Sequence, residues 1–524
     1  MICWFLHLRR KRDELSFQPI QPALIRSHEK SRYLGQNRFR LLNEECAVDK
    51  WSALERSPLW NFNLHYFDYL FSELGSAHGL DLIDSWLREV DEGHKIAWHS
   101  YPTSRRVANW IFYFSNHPGR VSRGYLESLR VQLDLLRLTL ERDLLGNHLI
   151  ANAQALVLGG AFFGDQKLTS IGLDILAEQL PEQIQGDGSH YEHSPMYHAI
   201  VLEDLLNVVS AMKQRQIVVP DWLMRSVSKM SEFLGAILFD GRFPLLNDCA
   251  EEIAADPIRL LEASGRLGAV SSVSNQKAYL ENSGLCVFRS ARIGVVFDVG
   301  RLGPDFLLGH AHNDTLSILI YYEGQPILTD SGCAHYQGPL RHYFRSAKSH
   351  NVVMIAEMEP NELWSNFRVG RRGYPSHLYV DMARGIIWGS HSGYSHLGWR
   401  VSRGIFVRDS FVAWIDIIDG TQPIPPVQSF LHFAPGIDIS IARQDVWQIN
   451  GGRLTLTATG YDRSYIESSK YSAEFGHITE RKMLQFEAER RSMVELRSLL
   501  SLPSATDAPS GVWDQLLAYR PTNA

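Results

Sequence analysis

The sequence predicts a protein of two parts, a run of helical hairpins followed by an antiparallel β unit. Between about residues 60 and 270, apolar side chains recur every three or four positions, which is the period of an amphipathic helix. After about residue 275 the pattern changes to alternation and short β-branched runs that end at glycine turns. Helices followed by strands, without strand–helix alternation, indicate two packed units and not one parallel sheet.

The composition excludes several classes of protein. The 524 residues contain 52 Lys and Arg against 58 Asp and Glu, a formal charge of −6, which excludes a strongly basic protein that coats polyanions. Five cysteines without a CxxC spacing make a disulfide framework unexpected, and no apolar run is long enough to span a bilayer. The start, MICWFLHLRRKR, has its apolar run before its basic cluster, which is the wrong order for a secretory signal. The 21 histidines and 13 tryptophans are typical of proteins that handle sugars or metals.

Three segments predict the helical unit most clearly: YLESLRVQLDLLRLTLERDLL, LIANAQALVLGGAFFG and HAIVLEDLLNVVSAMKQ. Clusters of Gly, Pro and Asp at Gly146, Gly186 and Pro220 mark where one helix stops and the next begins. No fixed repeat is visible, which argues against a regular solenoid, but irregular hairpins could close into a toroid. We expect this unit over residues 51–270, after an N-terminal arm or cap at residues 1–50.

The β unit is expected over residues 275–524, with the boundary between Gly265 and Asn282. Its strands are predicted from alternating or β-branched runs such as LCVFRSARIGVVFDVG, LSILIYYEGQPILTDSG and FVAWIDIID. The Glu323–Gly324 pair lies between two of these runs and predicts the tip of a hairpin.

The densest cluster of histidine and aspartate lies between residues 310 and 350. Alternation would place His310 and His312 on one face of an extended segment, and the predicted hairpin would bring Asp330 back beside His312. Two imidazoles and one carboxylate suit zinc, which takes nitrogen and oxygen ligands. The best metal set is His312, Asp330 and His350, with ordinary polar residues at strand ends as the alternative.

Further candidates lie in the helical part. Asn147 and His148 stand at a predicted helix start, where Asn is common for capping alone but where both side chains could also line a cleft. Tyr197 falls in the first turn of a helix that begins at a Ser-Pro pair, and its alternative is a core tyrosine. Arg105 or Arg106 could hold a carboxylate in a bidentate contact.

Five groups of motifs, in their order along the chain, resemble the heparinase II/III family of polysaccharide lyases, in particular members found near bacterial surface-polysaccharide clusters. They are WNFNLHYFDYL, YPTSRRVANW, NHLIAN, DGSHYEHSPMYH, and GHAHND with TDSG and SHNVV, and HSGY and HFAP extend the match. The resemblance implies an incomplete (α/α) toroid followed by an antiparallel β-sandwich domain, with the active site between them. It also implies an acidic polysaccharide as partner and a cell-envelope or periplasmic setting, although the absence of a visible secretory signal leaves the cytoplasm open. We expect no nucleic-acid partner and no integral membrane segment.

The chemistry that the resemblance implies is β-elimination at a uronic acid. Asn147, with His148 beside it, matches the position that stabilises the enolate-like charge formed when the C5 proton leaves. Tyr197 and His310 match the pair that takes this proton and protonates the departing O4, and the configuration at C5 decides which one is the base. Tyr336 matches a tyrosine that lines the family site.

The resemblance also implies contacts to substrate and metal. Arg105, Glu192 and Arg345 are expected to bind substrate, and Tyr191 is an alternative to Tyr197. The set His312, Asp330 and His350 matches a zinc site of some members, where the metal is structural. We expect the substrate to be a bacterial capsule, exopolysaccharide or O-antigen-type polymer that contains uronic acid.

Two other functions remain open on the sequence. A glycoside hydrolase on the same scaffold would need two carboxylates at the scissile bond, which Asp187, Glu192 and Asp248 could supply. A non-catalytic glycan-binding or assembly protein could share the fold without the activity.

Overall fold

The computed structural model describes residues 15–24, 31–269, 277–503 and 511–521. Parts of the predicted N-terminal arm, at residues 1–14 and 25–30, and of the predicted boundary, at residues 270–276, lie outside the described residues. The chain divides into two compact units. The first is drawn from Met1–Ile184, Tyr197–Ser231 and Glu252–Ser271, and the second from Gln185–Met196, Glu232–Glu251 and Ser272–Ala524.

The first unit is helical, apart from a three-stranded antiparallel sheet near the start of the chain. Its strands are β1 Arg32–Gly35, β2 Arg38–Leu41 and β3 Glu44–Ala47. The helices of this part of the chain are α1 Pro58–Leu64, α2 Glu73–Ala77, α3 Gly79–Glu89, α4 Ser100–Asn116, α5 Arg123–Leu136, α6 Gly146–Phe163, α7 Gln166–Gln183, α8 Pro195–Gln214, α9 Asp221–Ile237 and α10 Pro257–Arg266. Two short 3₁₀ helices lie at Asp68–Phe71 and Pro118–Arg120. The predicted run of helices is therefore present.

Two of these helices, α4 and α6, form the centre of the first unit. Nearly every side chain of α6 is buried, as expected of a helix that is apolar on all sides. It packs against α4, which is also buried along its length, and against α7. Polar residues at the first turn of α6 therefore have fixed positions, because the rest of the helix is enclosed by its neighbours.

The second unit consists of antiparallel sheets. A five-stranded sheet contains β4 Lys277–Leu280, β5 Leu285–Arg289, β6 Ile293–Asp298, β7 Ile318–Tyr322 and β8 Gln325–Leu328 in sequence order. The next strands are β9 Val353–Ile355, β10 Leu363–Trp364, β11 Arg368–Val369, β12 Pro375–Asp381, β13 Ile386–His391, β14 Trp399–Arg408, β15 Phe411–Gly420 and β16 Val427–His432. The last strands are β17 Ile439–Arg443, β18 Val446–Ile449, β19 Leu454–Thr459, β20 Arg463–Glu474, β21 His477–Ala488 and β22 Val494–Ser501. Helices α11 Gly338–Arg345 and α12 Val512–Ala518, and 3₁₀ turns at Ala347–Ser349 and Ser395–Leu397, complete it.

An eight-stranded sheet has the order β12-β13-β14-β15-β22-β19-β18-β17, and a four-stranded sheet has the order β20-β21-β16-β9. One hydrophobic cluster contains side chains of the five-, four- and eight-stranded sheets, among them Val295, Leu431 and Trp414. The opposite face of the eight-stranded sheet packs Trp388 and Ala413 against Leu516 of α12. This alternation of buried faces is the pattern of packed antiparallel sheets.

The predicted hairpin tip is confirmed. Glu323 and Gly324 join β7 to β8 and both have positive φ, 51° and 82°. This is the backbone that a tight hairpin turn requires. The segment of His310 and His312 was predicted to be extended, and the structure shows turns there and no strand. Within the described ranges, no helix is long and apolar enough to cross a membrane.

Candidate active site and metal centre

Asp248 is the centre of a buried polar cluster in the second unit. Its Oδ2 accepts a hydrogen bond from Nδ1 of His310 at 2.8 Å, and its Oδ1 accepts one from Nε2 of His312 at 2.9 Å. Both terminal nitrogens of Arg341 also donate to this carboxylate, Nη2 to Oδ2 at 2.8 Å and Nη1 to Oδ1. Burial alone would raise the pKa of Asp248, but Arg341 and the two histidines hold it well below its usual range. One carboxylate therefore fixes both histidines.

His310 lies between two carboxylates. Its Nε2 is 3.1 Å from Oε2 of Glu192, and its Nδ1 is bonded to Asp248. Burial would lower the pKa of His310, but the hydrogen bonds to Asp248 and Glu192 outweigh it and raise the pKa to about 9. The imidazole is thus held in its doubly protonated form, while part of its side chain, 16%, stays exposed.

The backbone at Asn247 shapes this cluster. Asn247 has a φ of 56°, uncommon for a residue other than glycine. Its side chain accepts the backbone N–H of His312 at 3.0 Å and donates to the carbonyl of His193 at 3.1 Å. Asparagine adopts this left-handed backbone more readily than most residues, and the two hydrogen bonds hold it between His193 and His312.

Tyr336 and Arg341 complete the surroundings of His310. The ring centroid of Tyr336 is 6.0 Å from that of His310, and the guanidinium of Arg341 lies 5.3 Å from the Tyr336 ring. Arg341 is fully buried on α11 and also donates to the carbonyls of Gly309, at 2.7 Å, and Asn366, at 2.9 Å. Its five donors allow it to hold a carboxylate and two loops at once.

The predicted metal set is assembled in the second unit. Each of His312, Asp330 and His350 can offer one ligand atom so that these atoms all lie within 4.8 Å of one another. All three side chains are fully buried. His350 Nδ1 is 2.8 Å from Oδ2 of Asp330, and the ring centroids of His312 and His350 are 5.3 Å apart. The hairpin between β7 and β8 thus returns Asp330 to His312, as the sequence predicted.

The residues present fit a zinc ion. Nδ1 of His312 and Nε2 of His350 are buried without a hydrogen-bond partner among the described residues, which is costly unless another ligand is bound. Burial, assisted by His350 and Arg341, lowers the pKa of His312 to about 4, so this imidazole is neutral, the form that binds metals. A bound zinc would cross-link three segments of the β unit.

Dialysed protein is expected to retain about one zinc per chain, measured by elemental analysis. His350→Ala should lose the ion and lower the thermal unfolding midpoint, because a ligand and its cross-link are removed. His391→Ala is the matched control, since His391 is also buried in the second unit but accepts a hydrogen bond from Gly393 N at 3.1 Å. Retention of zinc by His350→Ala, or its absence from the wild-type protein, would contradict the assignment.

Asn147 and His148 lie at the first turn of α6 in the first unit. The N-cap of this helix is Leu145, with φ 58° and ψ −143°, and Asn147 is the second helical residue. Capping is therefore not the role of Asn147, which is buried. His148 is half-buried, and its Nδ1 is 2.8 Å from Oε1 of Glu141. The ring of Tyr101 lies 4.3 Å from the His148 ring, which fixes its plane.

Tyr197 lies in the first turn of α8 and is half-buried. Helix α8 begins at Pro195, which confirms the predicted helix start. Burial raises the pKa of the nearby Tyr66 well above its usual value, and Tyr197 is close enough to contribute to that shift. Arg105 is buried, and its Nη1 is 2.7 Å from Oδ1 of Asp204. A substrate contact for Arg105 stays a prediction.

The comparisons with known proteins decide the family. Residues 273–513 match the family model described as Heparinase II/III-like, C-terminal, and residues 84–262 match the one described as Heparinase II/III N-terminus. The chain belongs to the heparinase II/III family. The heparin-sulfate lyase of Bacteroides stercoris is 25% identical over 240 residues, 40% of this chain and 35% of that protein. FtsZ-localized protein C of Caulobacter vibrioides is 25% identical over 382 residues, 68% of this chain and 64% of that protein.

The chain therefore spans about a third of the length of the Bacteroides lyase and just under two thirds of the Caulobacter protein. A crystal structure of heparinase III is similar in fold, with a TM-score of 0.72 and 15% identity over 96% of this chain and 89% of that chain. This similarity confirms the predicted fold class, an incomplete (α/α) toroid followed by an antiparallel β-sandwich domain.

Several residues of the candidate site in this heparinase II/III member were not predicted from the sequence, or were predicted in another role. The sequence offers Asp248 as part of a polar island with Asn247 and as a possible hydrolase carboxylate, and it does not single out Arg341 or Glu141. The polar pair Asn247–Asp248 after an apolar run was the available signal. Arg345 is fully buried and donates to the carbonyls of Ala311 and Asn366, both at 2.9 Å. These bonds give Arg345 a role in holding the loops, and its substrate contact stays a prediction.

Proposed function

We propose that this protein is a polysaccharide lyase that cleaves a uronic-acid-containing glycan by β-elimination. The observation that carries the proposal is His310, partly exposed and held on both ring nitrogens by Glu192 and Asp248, in a member of a lyase family. A hydrolase would direct carboxyl groups at the scissile bond, whereas in this cluster the two carboxylates are bonded to an imidazole and hold it in position.

β-Elimination breaks the C4–O4 bond of the uronic acid and removes a proton from the neighbouring carbon, C5. A base removes the C5 proton, the electrons form the C4=C5 double bond, the C4–O4 bond breaks, and an acid protonates O4. Removing the C5 proton is slow in water because the neighbouring carboxylate is already negative. A neutral hydrogen-bond donor aimed at that carboxylate stabilises the charge as it develops.

We assign these roles to the residues predicted from the sequence. Asn147, beside His148, donates to the uronate carboxylate. Tyr197 and His310 form the acid–base pair, and the two carboxylates around His310 favour it as the group that holds a proton and Tyr197 as the base. Tyr336 lines the site next to His310, at a centroid distance of 6.0 Å. Each positioned acid or base typically contributes ~10²–10⁴-fold.

Glu141 supports this assignment from the first unit. It accepts from Nδ1 of His148 and, through Oε2, from Nδ2 of Asn152 at 2.9 Å, while Oδ1 of Asn152 accepts the backbone N–H of Glu141. With Nδ1 engaged as a donor, Nε2 of a neutral His148 is the acceptor. The carboxylate therefore selects the tautomer of the imidazole next to Asn147.

Incubation with a panel of acidic polysaccharides tests the proposal. The panel contains heparan sulfate, chondroitin sulfate, hyaluronan, alginate and bacterial capsule, exopolysaccharide and O-antigen preparations rich in uronic acid. The conjugated C4=C5 product absorbs in the ultraviolet, and we expect this absorbance to rise together with new reducing ends. Our finer proposal is that a bacterial surface glycan gives the largest rate.

The hydrolase alternative would give new reducing ends without this absorbance. Its candidate carboxylates already have partners in the second unit. Asp187 accepts hydrogen bonds from Ser189 and Ser283, which outweigh burial and lower its pKa, and a general acid needs a raised one. Glu192 and Asp248 hold His310.

The non-catalytic alternative has one observation in its favour. FtsZ-localized protein C aligns over more of this chain than the Bacteroides lyase does, 68% against 40%, and its name describes localisation and no enzyme activity. Binding of a polysaccharide from the panel without absorbance or new reducing ends would favour this alternative over the lyase.

A further inference from the structure

Four exposed aromatic side chains lie on two segments of the second unit that contact each other, residues 301–311 and 362–374. Among the described residues, five Phe, Tyr and Trp side chains are 38% exposed or more, and four of them lie in residues 306–374: Phe306 at 60%, Trp364 at 54%, Phe367 at 43% and Tyr374 at 38%. We call these four residues the aromatic platform. Large apolar side chains exposed together, and not singly, mark a binding surface.

The hairpin of β10 and β11 explains why Trp364 points outward. Leu363 pairs with Val369, and Trp364 pairs with Arg368. Directly opposed residues share one face of a hairpin and the next pair occupies the other face. Val369 packs against the buried cluster of Leu302, Leu308 and Ala311, so the opposite face presents Trp364 and Arg368 side by side.

Polar contacts fix the loop of Phe306 to the segment of Tyr374. Nη1 of Arg372 donates to the backbone carbonyl of Asp305 at 2.7 Å and to its Oδ1 at 2.9 Å. The hydroxyl of Tyr374 donates to the same Oδ1 at 3.1 Å. The guanidinium of Arg301 lies 5.6 Å from the Tyr374 ring. The aromatic platform is therefore a built surface whose two segments are joined by a hydrophobic cluster and an ion pair.

One member of the aromatic platform, Phe367, lies beside the candidate active site. The Phe367 ring lies 5.8 Å from the Tyr336 ring, which in turn lies 6.0 Å from His310. Arg341, which holds Asp248, lies 5.4 Å from the Phe367 ring. A ligand bound at His310 and extended by a few units would meet Phe367 first.

The charge of this surface favours an anion. Residues 301–306 and 362–374 contain four arginines and two carboxylates. Of the carboxylates, Asp305 is paired with Arg372, and Glu362 accepts the backbone N–H of Arg371 at 3.1 Å. Arg301 and Arg368 are exposed, and no ion pair of either with a described carboxylate is found within 4 Å.

We propose that the aromatic platform, with Arg301 and Arg368, binds the sugar rings of an acidic polysaccharide that extends from the His310 site. The apolar C–H face of a pyranose covers an aromatic ring, and the guanidinium groups pair with the carboxylates or sulfates of the same chain. The direction of the chain rests on the proposed lyase function, whereas the binding itself does not.

Affinity electrophoresis in gels that contain heparan sulfate, chondroitin sulfate, hyaluronan or alginate tests the proposal. At least one polymer should retard the wild-type protein, and Trp364→Ala should weaken that binding about tenfold, since covering an indole face contributes roughly 1.5 kcal/mol. Arg368→Ala should weaken it severalfold and reduce its dependence on salt. Tyr465→Ala is the control, because Tyr465 is an exposed aromatic residue, at 38%, on β20 outside the platform, and it should bind as the wild type does.

The outcomes separate this proposal from the proposed function. Binding that depends on Trp364, without cleavage of any polymer, would support the platform and contradict the lyase. Cleavage with an unchanged KM in both Trp364→Ala and Phe306→Ala would support the lyase and overturn the platform. Equal losses in Trp364→Ala and Tyr465→Ala, or no retardation of the wild type in any gel, would also overturn the platform. Unfolding midpoints close to the wild type show that these exposed substitutions leave the fold intact.

Discussion

Replacing Tyr197 by phenylalanine is expected to lower kcat on the cleaved polysaccharide by ~10²–10⁴-fold, with little change in KM. The substitution removes one hydroxyl and keeps the ring, so the first turn of α8 and the packing of the half-buried side chain are preserved. The proposed base is lost while the remaining residues still bind and orient the substrate. Initial rates of ultraviolet absorbance at several substrate concentrations separate kcat from KM.

Tyr191→Phe is the control for this prediction, because the sequence left Tyr191 as an alternative to Tyr197. Tyr191 is buried, with its ring 5.0 Å from that of His190 and 5.9 Å from that of Phe306. We expect Tyr191→Phe to retain nearly wild-type kcat. A large loss in Tyr191→Phe with little loss in Tyr197→Phe would reverse the assignment, and full activity of both would exclude both of these tyrosines from the acid–base pair.

The sequence predicted the fold class because apolar residues recur clearly in both parts of this chain, every three or four positions in the helices and at alternate positions in the strands. Apolar spacing predicted helix α8, which contains His198, and turn chemistry predicted the hairpin at Glu323. Both elements are present. The bounds of the two units were harder to predict from the sequence. Residues 185–196 and 232–251 lie within the helical part of the sequence but group with the β unit, because they pack there through long-range contacts that local patterns do not record.

The candidate site shows the same limit. The metal set could be predicted because a hairpin brings its members together and because histidine and aspartate are characteristic ligands. The role of Asp248 could not, since its partners are 62 and 64 residues away for the two histidines and 93 residues away for Arg341. A buried carboxylate is given its role by tertiary contacts, and a single sequence does not show them.

Removal of the charge at Asp248 is expected to destabilise the second unit by ~3–5 kcal/mol. Asp248→Asn keeps the size of the side chain but leaves the guanidinium of Arg341 buried opposite a neutral group. Both side chains have no exposed surface, so water cannot replace the lost partner. The midpoint of urea unfolding should fall clearly, and turnover should fall with it because His310 loses one of its two carboxylates.

A double-mutant cycle shows whether loss of the buried Asp248–Arg341 charge pair causes the destabilisation. Arg341→Met alone should also destabilise the unit, whereas Asp248→Asn with Arg341→Met should cost less than the sum of the two single changes, because no unpaired charge is left. Glu489→Gln is the control, since its ion pair with Arg463 is 60% and 66% exposed and such pairs contribute ~0–1 kcal/mol. Strict additivity in the cycle would show that Asp248 acts through the histidines alone. A midpoint for Asp248→Asn equal to that of Glu489→Gln would remove Asp248 from the centre of the cluster.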